Sequence, residues 1–252
     1  MVYITGDCHA KFNKFSTENF PEQREMNKSD VVMICGDFGG VWCDTPEERY
    51  WLEWLDSKSF TTVFCDGNHE NFDRLYNEFP VVDFHGGKAH KIRDNIYHLM
   101  RGNIFDFDGK KFFVFGGAKS HDIKDGILDP AAYDNQRRLV SDYKRRTLMG
   151  EMLRIKGISW WEQELPSEDE MRLGEMNLSN VDYKVDYVIS HCLPQSVASL
   201  AGFHGHDKMT VYFENLIAGG LEFRQWCCGH YHIEAKLLGK YEIYYNNVKR
   251  LL

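Results

Sequence analysis

The sequence predicts an α/β fold whose sheets mix parallel and antiparallel strands. Three observations carry this: short apolar blocks rich in β-branched and aromatic residues, helical patterns set between them in the N-terminal part, and two hairpin signals later on. The blocks at 2–4, 31–35, 62–65, 112–115, 187–190 and 225–228 read as buried strands. After the second block, Thr45-Pro46-Glu47-Glu48 supplies an N-cap threonine, a proline at the first helical position and a glutamate three residues past the cap. Trp51, Leu52, Trp54 and Leu55 continue at helical spacing, so a helix is predicted over about 46–57. Further helices are predicted over 71–79 and 210–218. Residues 104–107 and 110–115 flank Asp108-Gly109, a pair suited to a type I′ hairpin turn. Residues 235–238 and 242–245 around Gly239 form a second hairpin pattern.

One segment shifts in composition. Between 136 and 156, Arg137, Arg138, Lys144, Arg145, Arg146, Arg154 and Lys156 face only Asp142 and Glu151, a net +5 within a chain of −8. Its apolar positions predict one or two amphipathic helices broken at Gly150. Two roles stand open for it: a solvated helix face, or an electropositive lid that approaches a phosphate-bearing substrate. No Pro/Ser-rich linker or repeat divides the 252 residues, so a single domain over 1–252 is expected, with this insertion or lid at about 120–157.

Composition excludes several classes. With 43% hydrophobic residues, the chain can build a core without disulfide staples. Seven cysteines without CxxC spacing argue against a disulfide framework or a cysteine zinc site and fit a reducing compartment. No apolar run reaches the ~18 residues of a membrane span, and the N-terminus lacks signal-peptide character. The expectation is a cytoplasmic protein with no membrane partner. A net charge of −8 argues against a general nucleic-acid coat or stable duplex binding. Nothing in the sequence specifies an oligomeric state.

Eleven histidines are the unusual feature, and five of them fall in turns that end apolar strands. The turns are Gly6-Asp7-Cys8-His9, Gly36-Asp37, Asp66-Gly67-Asn68-His69-Glu70, Ser190-His191 and Gly229-His230-Tyr231-His232. Ligands of open α/β sheets bind beyond the carboxyl ends of strands, where such turns converge. Carboxylate, imidazole and amide oxygen are donors for hard-to-borderline divalent metals. Asp7 and His9 alternate, as do His230 and His232, so each pair points one way from an extended segment. Taken singly, each aspartate is a turn residue and each histidine an ordinary strand-end residue. All five blocks in order, each after a predicted strand, specify a metal site. His85, His90, His98, His121, His204 and His206 lie outside the blocks and are read as surface or structural, with His204-Gly205-His206-Asp207 a secondary candidate for lining the cleft. Cys8, Cys35, Cys65, Cys192 and Cys228 beside the motifs are read as packing residues, and Trp160-Trp161 as packing a lid onto the core.

The ordered set DxH, GD, GNH, H and GHxH, from Asp7 to His232, resembles the calcineurin-like metallophosphoesterase superfamily. Gly116-Gly117-Ala118 and the Trp-Trp segment are similar to its small bacterial or phage-type members. The resemblance implies a four-layer α/β/β/α sandwich of mixed sheets with a dinuclear metal site at the strand ends. It implies an enzyme that hydrolyses phosphoesters by in-line attack of a metal-bridging hydroxide. By motif, Asp7, His9, Asp37 and His232 hold the first metal, and Asp37, Asn68, His191 and His230 the second, with His69 as catalytic residue rather than ligand. Two divalent ions are implied, with manganese expected and iron, zinc or nickel as alternatives.

Two departures bear on the substrate. Glu70 after His69 is similar to the protein-phosphatase and dinucleoside-tetraphosphatase branch, yet Asp37 is followed by Phe38-Gly39-Gly40-Val41-Trp42 without that branch's arginine. Arg74, Arg137 and Arg138 stand as substrate-binding candidates in its place, and Asp66 and Asp44 as candidates for the acid that orients His69. The expected substrate is a nucleotide, cyclic-nucleotide or nucleic-acid-end phosphodiester. Alternatives are a phosphomonoester, a serine/threonine phosphoprotein and a dinucleoside polyphosphate. A non-catalytic scaffold has no reason to keep His69 together with every ligand.

Overall fold

Two mixed sheets face one another in the computed structural model, which describes residues 1–252. The first has the strand order Lys249–Arg250, Val2–Thr5, Val31–Cys35, Thr61–Cys65, Ile96–Leu99, Gly87–Arg93, Val81–Phe84. The second runs Ala235–Leu237, Tyr241–Ile243, Gln225–Cys228, Tyr187–Ser190, Lys110–Phe115, Asn103–Phe107. Each sheet has four parallel strands at its centre and antiparallel strands at its edges.

Side-chain alternation sorts each central strand between two layers. Val31, Met33 and Cys35 point between the sheets, where they meet Phe112, Val114, Tyr187 and Ile189 from the other one. Val32 and Ile34 point outward onto Phe12, Phe15, Leu52 and Leu55. On the far side, Val188, Trp226 and Phe113 pack against Leu178, Met209, Phe213 and Leu216 of the helices Glu168–Ser179 and Lys208–Ala218. Central strands buried on both faces therefore read as unbroken apolar runs. The result is the expected α/β/β/α sandwich.

Local chemistry accounts for the elements that were predicted. Thr45 caps the helix Pro46–Asp56 by accepting from Glu48 N–H at 3.1 Å. Asn71 proves to be the N-cap of the second helix, which is shorter than expected, Phe72–Asn77. The third starts two residues early, at Lys208, because Asp207 and Thr210 form a capping box. Asp108 and Gly109 take the φ values of 55° and 70° that a type I′ turn requires. The strands between 81 and 99 and the helix Glu168–Ser179 went unpredicted. The first are half-exposed or carry buried histidines, so their apolar signal is weak. No helix is long and apolar enough to cross a membrane.

The basic segment departs from expectation. Its first part is the helix Gln136–Leu148, but Leu153–Ile155 is a strand paired in parallel with Gly126–Leu128, not a second helix. Leu153 and Ile155 alternate into a small cluster with Leu128 and Leu139, a two-residue period that so short a run does not distinguish from a helix. Counted over 120–157 as folded, the segment has eight basic and six acidic residues, so the +5 depended on where the count began. Arg138 pairs with Asp134, Arg145 with Asp142 and Arg146 with Glu151.

Candidate active site

The carboxyl ends of the parallel strands in both sheets meet at one edge, and the five motif turns follow them there. Their packing leaves no room for side chains at key glycines. A Cβ on Gly67 would run into Asp37 Oδ1, and one on Gly229 into Asp7 Oδ1. Four candidate ligands, His9, Asp37, His230 and His232, take φ of 47°, 47°, 69° and 52°. Non-glycine residues adopt such values at a cost of about 1–3 kcal/mol each, and they concentrate at functional sites.

Each aspartate uses one oxygen to hold a neighbouring loop. Asp7 Oδ1 accepts His230 N–H and Asp37 Oδ1 accepts His69 N–H, both at 2.8 Å. The same carboxylates also face imidazoles. His232 Nε2 lies 3.0 Å from Asp7 Oδ2, His9 Nε2 lies 3.6 Å from Asp7 Oδ2 and 3.7 Å from Asp37 Oδ2, and His191 Nε2 lies 3.2 Å from Asp37 Oδ1. His191 donates through Nδ1 to Cys35 O at 2.7 Å, which turns Nε2 toward the carboxylates. Asn68 donates through Nδ2 to Ser120 Oγ at 3.3 Å, and that hydroxyl donates to Glu164 at 2.5 Å. The chain directs Asn68 Oδ1 the other way.

Metal suits this arrangement. Asp7 Oδ2, Asn68 Oδ1 and His191 Nε2 are buried and make no well-aligned hydrogen bond, although His232 Nε2 and Asp37 Oδ1 lie close to the first and last of them. That condition is costly unless something else binds them. Two three-residue groups have ligand geometry: Asp7, His9 and His232, and Asp7, Asp37 and His191. Asp7 belongs to both, while Asp37 also reaches toward His9. His230 stands slightly apart, with its ring 4.9 Å from that of His191.

The electrostatics agree. Burial alone would raise both aspartates, but the adjacent His191 charge, together with hydrogen bonds, holds them below the usual carboxylate range. Burial opposes charge on His191 too, yet Asp37 and Asp7 outweigh it and lift the imidazole to about 10. The two buried carboxylates thus favour positive charge beside them. His69 differs: burial, aided by Arg154 and His9, pushes it down to about 4 against the pull of Asp37 and Asp122.

The structure brings all seven candidate ligands and His69 to this edge, while two of the three substrate-arginine candidates are held by acidic partners. Arg74 is held by Glu48 at 2.7 Å and Glu78 at 2.9 Å, Arg138 by Asp134, and Arg137 lies exposed on its helix. The acid candidates also lie elsewhere. Asp44 pairs with Arg49 at 2.8 Å. Asp66 is buried against Arg101 and, at 3.1 Å, His98. The residues that do reach His69 are Arg154, with Nη2 3.4 Å from Nε2, and Asp122, which grips Arg154 from Nε at 2.8 Å. Arg154 was visible only as one of seven basic residues, and no spacing rule distinguished it. Glu70 ties two motifs together by accepting Phe38 and Gly39 N–H groups at 2.7 and 3.1 Å. Trp161 is buried against Trp42 and donates to Asp73 at 2.7 Å, while Trp160 is half-buried. The five cysteines beside the motifs are buried.

Asp66 and Arg101 form a fully desolvated pair beneath the Asn68 turn. Arg101→Met is expected to destabilise the fold by about 3–5 kcal/mol, because it strands a buried carboxylate. Chemical denaturation measures this; a loss below about 1 kcal/mol would place the pair among surface-like ion pairs.

Comparison with known proteins agrees with the geometry. The chain belongs to the calcineurin-like phosphoesterase family, which matches residues 1–234. It is also 27% identical over 148 residues to lariat debranching enzyme A of Xenopus laevis, a match covering 52% of this chain and 26% of that protein. The matched region thus spans about a quarter of that relative's length.

Proposed function

We propose that this chain is a dinuclear phosphodiesterase for nucleotide-type substrates, with manganese as its working metal. The carrying observation is the set of buried atoms without a well-aligned hydrogen bond, Asp7 Oδ2, Asn68 Oδ1 and His191 Nε2, gathered with His9, Asp37 and His232 in ligand geometry. Asp7, His9, Asp37 and His232 hold one cation, and Asp37, Asn68, His191 and His230 hold the other. A bound pair of divalent cations supplies Lewis-acid neutralisation of the phosphoryl group and a nucleophile at neutral pH.

The protein's own groups do the rest. His69 sits above Asp37 and beside His9, with ring centroids 5.2 Å apart, where it stabilises the leaving oxygen or protonates it. Arg154, clamped by Asp122, offers its guanidinium to a phosphoryl oxygen next to that histidine. The missing arginine after Asp37 weighs against phosphoprotein substrates, and likeness to a debranching enzyme favours a diester.

Arg154→Ala is expected to lower kcat/KM about 10- to 100-fold with metal content unchanged, since it removes one donor to the reacting phosphoryl group. Metal analysis alongside steady-state kinetics checks this, and a wild-type rate would remove Arg154 from the site. The wider test is a metal-reconstituted screen of phosphomonoesters, linear and cyclic phosphodiesters, dinucleoside polyphosphates and phosphopeptides, with His69→Ala as blank. The expected result is fastest turnover of a linear or cyclic diester, abolished by chelation. Preference for a phosphopeptide or a monoester would overturn the substrate assignment.

A further inference from the structure

A cavity of about 820 Å³ has His230 and His232 in its wall and extends from them away from His69 and Asp37, neither of which lines it. Its wall carries Lys119, His121 and Lys124 on one side and His204 and His206 on the other. These side chains form no hydrogen bond or ion pair with the protein, unlike Arg138, Arg145, Arg146 and Arg154, each of which has an acidic partner. The wall's aspartate, Asp207, is committed elsewhere: its Oδ1 accepts the Met209 and Thr210 N–H groups at 2.8 and 3.1 Å, capping a helix. An acidic protein of net charge −8 therefore presents unneutralised cationic and imidazole groups around one space next to its metal-binding turns.

The same cavity has an aromatic wall. Phe203 and Tyr231 pack with ring centroids 4.5 Å apart. The Tyr231 hydroxyl accepts Leu193 N–H at 3.0 Å, which fixes the ring and removes its polar tip from contention. Cations with a fixed aromatic face are what a phosphate joined to a flat base requires. The volume lies within the roughly 300–1,000 Å³ of small-ligand sites.

We infer that this cavity is a flanking-phosphate subsite: it holds a nucleotide unit adjoining the scissile linkage, with Lys119 and Lys124 on that unit's own phosphate and Phe203 and Tyr231 along its base. The inference rests on the phosphodiesterase assignment above and narrows it to substrates with at least one phosphate besides the one hydrolysed. A nucleic-acid end and a nucleoside polyphosphate share this chemistry.

The test compares wild type with Lys119→Ala/Lys124→Ala on four probes, all with manganese. These are bis(p-nitrophenyl) phosphate, a thymidine dinucleotide, the same dinucleotide with a 5′-phosphate, and a dinucleoside tetraphosphate. For wild type, the 5′-phosphate is expected to raise kcat/KM about tenfold through a lower KM, a difference equivalent to one charge-assisted contact. In the double variant that ratio is expected to fall to about one. A gain with the tetraphosphate as well, also lost in the variant, identifies the nucleoside polyphosphate as a second source of the phosphate. A ratio unchanged by the double substitution overturns the subsite. A second readout needs no turnover: calorimetric binding of adenosine monophosphate and of adenosine in the presence of a chelator. Wild type is expected to bind the monophosphate about fivefold or more tightly, with the advantage lost in the double variant. Equal binding of the two by wild type also overturns the subsite. Failure to hydrolyse any probe, with the binding difference intact, counts against the phosphodiesterase assignment and leaves the anion subsite standing.

Discussion

Asp37→Ala is expected to empty the site of metal and to lower turnover by about 10³-fold or more, the scale of losing the central electrostatic element of a phosphoryl-transfer site. Asp37 is buried, and its carboxylate touches both halves of the cluster, lying 3.2 Å from His191 Nε2 and 3.7 Å from His9 Nε2. It also accepts His69 N–H, so the substitution frees the turn that carries the histidine. Asp37→Asn separates these roles, because an amide oxygen still accepts that N–H while the charge is gone. Elemental analysis after reconstitution should show Asp37→Asn almost as metal-poor as Asp37→Ala. Full metal occupancy in either variant would remove Asp37 from the ligand set.

His69→Ala should give the opposite pattern: metal content unchanged and kcat lowered about 10²- to 10⁴-fold, the range of general acid–base catalysis. Its contact with Asp37 is made by the backbone N–H, which alanine retains. Its ring makes one recorded polar contact, with Arg154 at 3.4 Å, so the loss to the fold is small. Turnover of a chromogenic phosphodiester at the wild-type rate would end the assignment. An equal fall in metal and rate would make His69 a ligand instead.

Much of this molecule can be read along the chain. Strand ends, the Asp108-Gly109 turn and the Thr45 cap follow from periodicity and turn chemistry, which are local properties. The motif turns belong with these, because an aspartate or histidine one to four residues past a buried parallel strand has only one edge of a sheet to occupy. The strands between 81 and 99 escaped because their pattern is not apolar: His90 and His98 are buried there as hydrogen-bonded partners in a chain to Asp66. Burying them is tolerable only beside Asp66 and Arg101, which come from other parts of the sequence.

The chemistry-bearing histidines and aspartates were therefore legible, and with them the sandwich and the phosphoesterase family. The partners of those residues were not. Arg74 and Arg138 lie near the motifs or in the basic stretch yet pair with acidic residues, while Arg154, from a strand mistaken for helix, reaches His69 across 85 positions. The cationic cavity likewise joins Lys119 and Lys124 to His204 and His206, segments with no common pattern. Residue type and spacing declare what a side chain can bind. Which distant side chain stands beside it depends on how two sheets and an inserted helix pack, and that is a property of the folded chain.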